Sequence, residues 1–418
     1  MTAPDAHSAI DAVWRIESAR LIAGLARMVR DVGIAEDLAQ DALVAALEQW
    51  PTSGIPDNPG AWLMATAKHR AIDLLRRDRM LHRKHEQLGL EFQATQEAGP
   101  DLEARMDDDI GDDLLRLIFT ACHPVLAAEA RVALTLRLLG GLTTEEIARA
   151  FLAPVPTIQQ RIVRAKRTLR EARVPFEVPR EAERAGRLSS VLEVVYLIFN
   201  EGYTATAGDD WVRPALCEDA LRLGRILAEL APQEPEVHGL VALMEIQASR
   251  LPARIGPSGE PILLLDQDRA RWDRLLIRRG LAALERAEQL GSPLGRYALQ
   301  AAIAACHARA TSGEETDWTR ITALYDALAQ VEPSPVVELN RAVAYAMAFG
   351  PAAGLEIADA LVKEPSLRSY HLLPAVRGDF LAKLGRREEA RAEFERAAAL
   401  TRNARERTLL LGRAAVVA

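Results

Sequence analysis

The stretch Gly141–Arg170, "GLTTEEIARAFLAPVPTIQQRIVRAKRTLR", reads as two short helices joined by a tight turn. Thr143 or Thr144 can cap the first helix, and Glu145 and Glu146 fall in its first turn, where acid is favoured. Ile147, Ala148 and Phe151 supply its apolar face, and Pro154 and Pro156 bound the turn. In the second helix Ile158, Ile162, Ala165 and Leu169 recur at helical spacing. The other face carries Gln159, Gln160, Arg161, Arg164, Lys166, Arg167 and Arg170. Two readings fit. A helix-turn-helix presents the start of its second helix to base edges, where Gln can bond adenine and Arg guanine, while later basic residues meet phosphates. The solvated face of an ordinary helical hairpin has the same charge pattern. The net charge of -7 does not decide between them, because DNA affinity follows local charge.

The surroundings are helical too. The 418 residues suggest two to four domains. Apolar residues make up 49 % and aromatics only 5 %, and Ala, Leu, Arg and Glu dominate, a mix that loses little entropy in helices. Alternating runs rich in Val, Ile and Thr are scarce, so an all-α fold is expected. The three cysteines, Cys122, Cys217 and Cys306, are far apart and form no disulfide or zinc pattern. Cys122 and His123 adjoin, but no partner pair follows at ligand spacing, so no metal or other cofactor is expected. Neither a signal peptide nor an apolar run of about 20 residues is present, so the expected location is the cytoplasm, away from the membrane.

Upstream, residues 9–50 carry helical patterns, and "PTSGIPDNPG" (51–60) is expected to break the chain. "AWLMATAKHRAIDLLRRDRMLHRK" (61–84) resumes a helix with a basic end. A polar stretch with Asp107, Asp108, Asp109, Asp112 and Asp113 reads as a linker. A segment interrupted at Pro124 then leads into the hairpin, and Pro175 and Pro179 end that unit. The expected organisation is a helical domain over 1–80, a linker over 81–110, a helix-turn-helix domain over 111–175 and a helical array over 176–418. Near the C-terminus Tyr345 and Gly350 correspond to Phe380 and Gly385 at an offset of 35 residues, close to the tetratricopeptide period. A generic helical solenoid gives a similar pattern.

Two stretches in order carry a resemblance. "AEDLAQDALVAALEQW" (35–50) followed by "PGAWLMATAKHRAIDLLRR" (59–77) resembles domain 2 of bacterial extracytoplasmic-function (ECF) sigma factors. "EARVALTLRLLGGLTTEEIA" (129–148) with the hairpin is similar to their domain 4. Together they cover roughly residues 10–173. The resemblance implies that Asp37, Gln40, Asp41 and Glu48 contact core RNA polymerase, and that Lys68, His69, Arg70, Arg76 and Arg77 face the −10 promoter element. It implies that Thr157, Gln159, Gln160, Arg161, Arg164 and Lys166 face −35 promoter DNA. The chain departs from the family pattern at His69, which is usually Asn, and at Leu152, Pro156 and Gln159.

The long C-terminal half resembles a subgroup of these factors with a tetratricopeptide-like regulatory extension, on "YLIFNEGYTAT" (196–206) and "LLLDQDRARWDRLLI" (263–277). Gly202 would permit a tight helix end there. Asn200, Glu201, Tyr203, Asp266, Asp268, Arg271 and Trp272 are the candidate lining of a regulatory groove for a protein or small ligand. The same acids and arginines also fit plain caps and ion pairs between helices. No acid/base pair emerges from spacing, so no enzyme is expected. The expected function is an RNA polymerase sigma factor regulated by its extension. The alternative is a dimeric, ligand-sensing helix-turn-helix regulator independent of polymerase.

Overall fold

A computed structural model describes residues 3–87, 110–151, 153–257, 259–291 and 293–417. Most of the expected linker, and Leu152, lie outside the described residues. The described chain is all-α and divides into two compact units, 1–194 and 195–418. A two-residue parallel pairing, β1 (Ala207–Gly208) with β2 (Arg402–Asn403), is a minor exception.

The first unit contains α1 (Ala3–Val29), α2 (Val32–Ser53), α3 (Pro59–Gln87), α4 (Ile110–Ala121), α5 (Ala128–Leu138), α6 (Thr144–Ala150) and α7 (Val155–Glu171). Asp31 caps α2 by accepting from the N–H groups of Gly33 and Ile34. Ala35, Leu38, Ala39, Ala42 and Ala46 form the buried stripe of α2, and small residues let α1 and α3 approach it closely. Trp50 closes that end of the core edge-to-face against Trp62, with ring centroids 5.3 Å apart. The helix does not break at Pro51. It runs to Ser53, two residues past the proline, and Gly54 at φ 85° then turns the chain by bonding back to Trp50, so the expected break falls between Ser53 and Pro59. Pro124 does separate two helices, α4 and α5.

α8 (Glu181–Tyr203) crosses the division between the units. The second unit continues with α9 (Pro214–Leu230), α10 (Pro235–Ala248), α11 (Arg274–Leu290), α12 (Arg296–Arg309), α13 (Trp318–Val331), α14 (Pro335–Phe349), α15 (Pro351–Ala360), α16 (Leu372–Lys383), α17 (Arg387–Leu400) and α18 (Ala404–Val416). Consecutive helices pack on one another, as in helical arrays. Gly350 and Gly385 occupy equivalent turns, α14 to α15 and α16 to α17, with φ of 98° and 76°. Arg341 bonds Asp326 one helix back, and Arg377 bonds Asp359 one helix back. Phe380 and Phe394 anchor the last core cluster.

α8 ends at Tyr203, beside Gly202 as expected, but the glycine does not turn the chain by a positive φ. It lies within α8, where an added Cβ would fall 2.7 Å from the backbone nitrogen of Cys217. The glycine is there so that the start of α9 can touch α8. Gly202→Ala should therefore destabilise the protein by about 1–3 kcal/mol, the cost of overpacking a rigid contact, read by urea unfolding followed by circular dichroism.

Candidate nucleic-acid interface

Thr143 caps α6 in a full capping box: its side chain accepts from the Glu146 N–H, and the Glu146 carboxylate accepts from the Thr143 N–H. Pro154 stands at the N-cap of α7, and Pro156 sits in its first turn, where no backbone donor is needed. Ile158, Ile162, Ala165 and Leu169 are the buried seam of α7. Thr157, Gln159, Gln160 and Arg164 are exposed and Arg161 is half-buried. Thr157, Gln160, Arg161 and Arg164 line a hollow together with Leu126 and Glu129. The start of α7 thus offers an amide, a hydroxyl and two guanidiniums from one face, with Gln159 exposed beside it.

On α3, Leu63, Ala67 and Ala71 are buried, Lys68 is half-buried, and His69, Arg70, Arg76 and Arg77 are exposed. Arg70 pairs with Asp41 of α2 at 3.4 Å, between two well-exposed side chains, so the pair contributes little. Asp37, Asp41 and Glu48 are exposed on α2, and Gln40 is half-buried.

Gln40 is turned toward a residue that the motif did not single out. Glu36 is 3 % exposed and accepts hydrogen bonds from Gln40 Nε2 and Arg137 Nε, each at 2.6 Å. Lys166 completes the group by ion-pairing with Glu36. One carboxylate therefore joins α2, α5 and α7. Arg137 also bonds the Leu142 carbonyl at 3.0 Å and so fixes the entry to the helix-turn-helix. Three further pairs extend the set: Arg170 of α7 to Asp31, the cap of α2, at 2.6 Å; Arg15 of α1 to Glu146 of α6 at 2.7 Å; and Arg27 of α1 to Asp113 of α4 at 3.3 Å. Burial works to raise the Asp31 carboxyl, but Arg170 and the N–H groups of Ile34 and Gly33 outweigh it and hold it below its usual range. Lys166 and Arg170, at the far end of α7, are thus committed to carboxylates, while the start of the helix is not.

Family models match the chain in three places: Sigma-70 region 2 over residues 16–80, Sigma-70 region 4 over 116–169, and a family of unknown function, DUF6596, over 187–288. The "ECF RNA polymerase sigma factor SigK" of Mycobacterium ulcerans is 30% identical over 153 residues, covering 35% of this chain and 75% of that protein. The chain belongs to the ECF RNA polymerase sigma factor family. A second relative, the "Probable ECF RNA polymerase sigma factor SigI" of Mycobacterium tuberculosis, is 27% identical over 184 residues, and the match spans 41% of this chain and 58% of that protein. The uncharacterised protein R00370 of Rhizobium meliloti is 43% identical over 387 residues, 91% of this chain and 89% of that one, so the similarity there includes the C-terminal half.

The C-terminal half of this sigma factor holds a second constellation. Glu201, Tyr203 and Trp272 are buried, whereas Asn200, Asp266, Asp268 and Arg271 are exposed. Asp268 caps a short turn through the Ala270 N–H, and Asp273 caps α11, so some of these acids are plain caps. The buried members meet three arginines from two other stretches, 249–254 and 269–271. Arg254 stacks 3.7 Å over the Tyr203 ring and 5.1 Å from Trp211. Arg250 lies 5.7 Å from Tyr203 and 5.9 Å from Trp272, and Arg269 lies 4.8 Å from Trp272. Trp211, Arg254, Tyr203, Arg250, Trp272 and Arg269 thus alternate ring and guanidinium in one chain. Arg250, Arg254 and Arg269 are each at most 9 % exposed. Each cation–π contact supplies roughly 0.5–2 kcal/mol, while an unpaired buried ion costs several.

His307 sits at the end of this chain, its carbonyl accepting from Arg269 Nη1 at 2.5 Å and its ring edge-to-face with Trp318. Burial, then the charges of Arg250 and Arg269, push its pKa down to about 4. Cys122 and His123 are simpler: the Cys122 thiol contacts Thr135 at 3.4 Å and burial pushes it up to about 11, while His123 accepts from the Val125 N–H.

Two measurements follow from these contacts. Glu36→Gln should destabilise the first unit by about 3 kcal/mol, chiefly by leaving Arg137 without its counter-charge, since Lys166 keeps Asp37 at 3.9 Å, and hydrogen exchange should quicken in α5 and α7 but not in α16–α18. His307 takes up a proton near pH 6.5 when unfolded but only near 4 when folded. Its contribution is complete above pH 6.5 and is lost as pH falls toward 4, in total about 3 kcal/mol. His307→Gln should lower the pH slope of unfolding free energy in that window by about one proton.

Proposed function

We propose that this ECF sigma factor joins core RNA polymerase and reads two promoter elements with its two N-terminal regions. The observation that carries this is the pair of sigma regions in order, over 16–80 and 116–169, with the second ending in a helix that buries an apolar seam and exposes Thr157, Gln159, Gln160 and Arg164. In this reading α7 meets −35 DNA with its first turns, where a helix-turn-helix meets base edges. Arg161 and Arg164 supply the forks suited to guanine and phosphate. The basic end of α3, with Lys68, His69, Arg70, Arg76 and Arg77, follows single-stranded −10 DNA, which needs cationic backbone contacts. The acids and amide of α2, Asp37, Gln40, Asp41 and Glu48, face a basic surface of polymerase.

Lys166 has a dual part. It is held by Glu36 in the closed arrangement, and a phosphate can replace that carboxylate only when α7 moves away from α2. Promoter binding in this reading therefore exchanges an internal ion pair for a DNA contact. The expected domain limits, 1–80, 81–110, 111–175 and 176–418, fit a sigma factor whose last part is a tetratricopeptide-like regulatory extension. Its work is promoter recognition rather than catalysis, and its place is with polymerase in the cytoplasm.

Transcription from a cognate promoter, with and without added core polymerase, tests the proposal. Transcripts should appear only with core. Arg161→Ala should lower them about tenfold, the size of one lost base contact, with polymerase binding intact by gel filtration. Tight binding of the protein alone to duplex DNA as a dimer, with no core-dependent transcription, would instead support a free-standing helix-turn-helix regulator.

A further inference from the structure

We infer that the ring-and-guanidinium chain of the C-terminal unit is the binding site of a small phosphate-bearing ligand. The inference rests on charge and on donor count within that unit, not on the promoter reading. Among the described residues, Arg250, Arg254 and Arg269 have no carboxylate within ion-pair distance. Glu201, the buried acid nearby, is taken by Arg213 and Thr206. Glu315 acts on Arg269 only from longer range, and its carboxylate accepts from Thr311 instead. The guanidiniums are partly met by neutral groups: Arg254 by the Tyr203 carbonyl and Thr204, Arg250 by the Tyr203 hydroxyl and Gln247, Arg269 by the His307 and Ala310 carbonyls. These satisfy hydrogens without cancelling charge.

Most of the buried polar atoms left without a partner around the ring-and-guanidinium chain are donors; Gln267 Oε1 and His307 Nδ1 are the others. Arg250 Nε, Arg254 Nε, Trp211 Nε1 and Trp272 Nε1 are buried without an acceptor. All four are donors with no capacity to accept. Buried groups of this kind call for a partner, and the partner that satisfies them must be rich in acceptor oxygens and negative. A phosphoryl group has three such oxygens and nearly two charges near neutral pH. A carboxylate has two oxygens and one charge, a poorer match to three guanidiniums. The flat rings of Tyr203, Trp211 and Trp272 would border the rest of the molecule. Trp211, only half-buried, stands at the outer end beside exposed Asp209 and Asp210.

The site is built from parts far apart in sequence. Trp211 lies on a loop closed by the Ala205 N–H to the Trp211 carbonyl at 2.8 Å. The Asn403 side chain holds the same loop by donating to the Ala205 and Asp210 carbonyls at 3.2 and 2.9 Å. A ligand seated against Trp211 would therefore be felt at the start of α18.

Calorimetric titration of the full-length chain tests this, with inorganic phosphate, a sugar phosphate and succinate as separate probes in chloride of matched ionic strength. One or both phosphates should bind, and succinate should bind more weakly. A sugar phosphate binding more tightly than inorganic phosphate would place the ligand's remainder against the rings, and the reverse order would identify the free anion as the ligand. Arg254→Lys keeps the charge and so protects the fold, yet loses the guanidinium fork. It should weaken binding about tenfold or more, the loss of a charge-assisted hydrogen bond. Arg250→Met should weaken it likewise. The inference is overturned if neither phosphate binds the wild type, if succinate binds as well as phosphate, or if both variants bind as wild type does, which would locate the anion on the basic faces of α3 or α7. None of these outcomes depends on transcription, so the promoter reading and this one can fail separately.

Discussion

A charge taken out of water must be met by its opposite, and the two units of this protein treat that requirement differently. In the first, the buried Glu36 carboxylate gathers Arg137, Lys166 and Gln40, and through them α2, α5 and α7 hold one arrangement. The energy of such a cluster is a balance between large desolvation costs and large attractions. It therefore specifies an arrangement more than it adds stability, and it can be exchanged for another set of charges when one is offered. In the second unit Arg250, Arg254 and Arg269 are buried among rings and neutral oxygens, with no acid at ion-pair distance among the described residues.

This difference bears on what each unit can respond to. In the proposed reading the first trades an internal anion, Glu36, for an external one along α7. The second is poised to accept an anion it does not itself provide. Both responses are electrostatic. The first should fade as salt screens exposed phosphate contacts, whereas a site lined by groups less than a tenth exposed is screened far less. Salt thus offers a way to tell them apart.

The fold was legible where a local rule settles it. A threonine cap, narrowed to Thr143 or Thr144, the seam Ile158–Ile162–Ala165–Leu169 and the paired turns at Gly350 and Gly385 follow from spacing and from the conformations that those residue types prefer. The exposed faces of α3 and α7 followed in the same way. The break within 51–60 and the helix end beside Gly202 were legible, but the exact stop after Ser53 and the packing role of Gly202 against Cys217 were not, because neighbours set them. Glu36 could not be told from Asp37 by type, since the helical phase alone buries one and exposes the other. Arg250 and Arg254 sit in an ordinary-looking stretch, "SRLPAR", and only tertiary packing brings them to Tyr203 and Trp272. The one hint in the sequence was Trp272 within "DRARWD", a large ring among charges.

Helical arrays are usually open chains, in which a repeat can be added or trimmed at one end without troubling the other. Here the pairing of Ala207–Gly208 with Arg402–Asn403, and the grip of Asn403 on the loop at Ala205 and Asp210, join the beginning of the second unit to its end. The array is closed into a circuit. Its first loop, closed locally by the Ala205–Trp211 bond, gains the Asn403 contacts only when a residue 198 positions from Ala205 has been made and folded. A chain cut short before Asn403 would lack the clasp of a loop far upstream, so the integrity of the C-terminus is recorded at the other end of the unit.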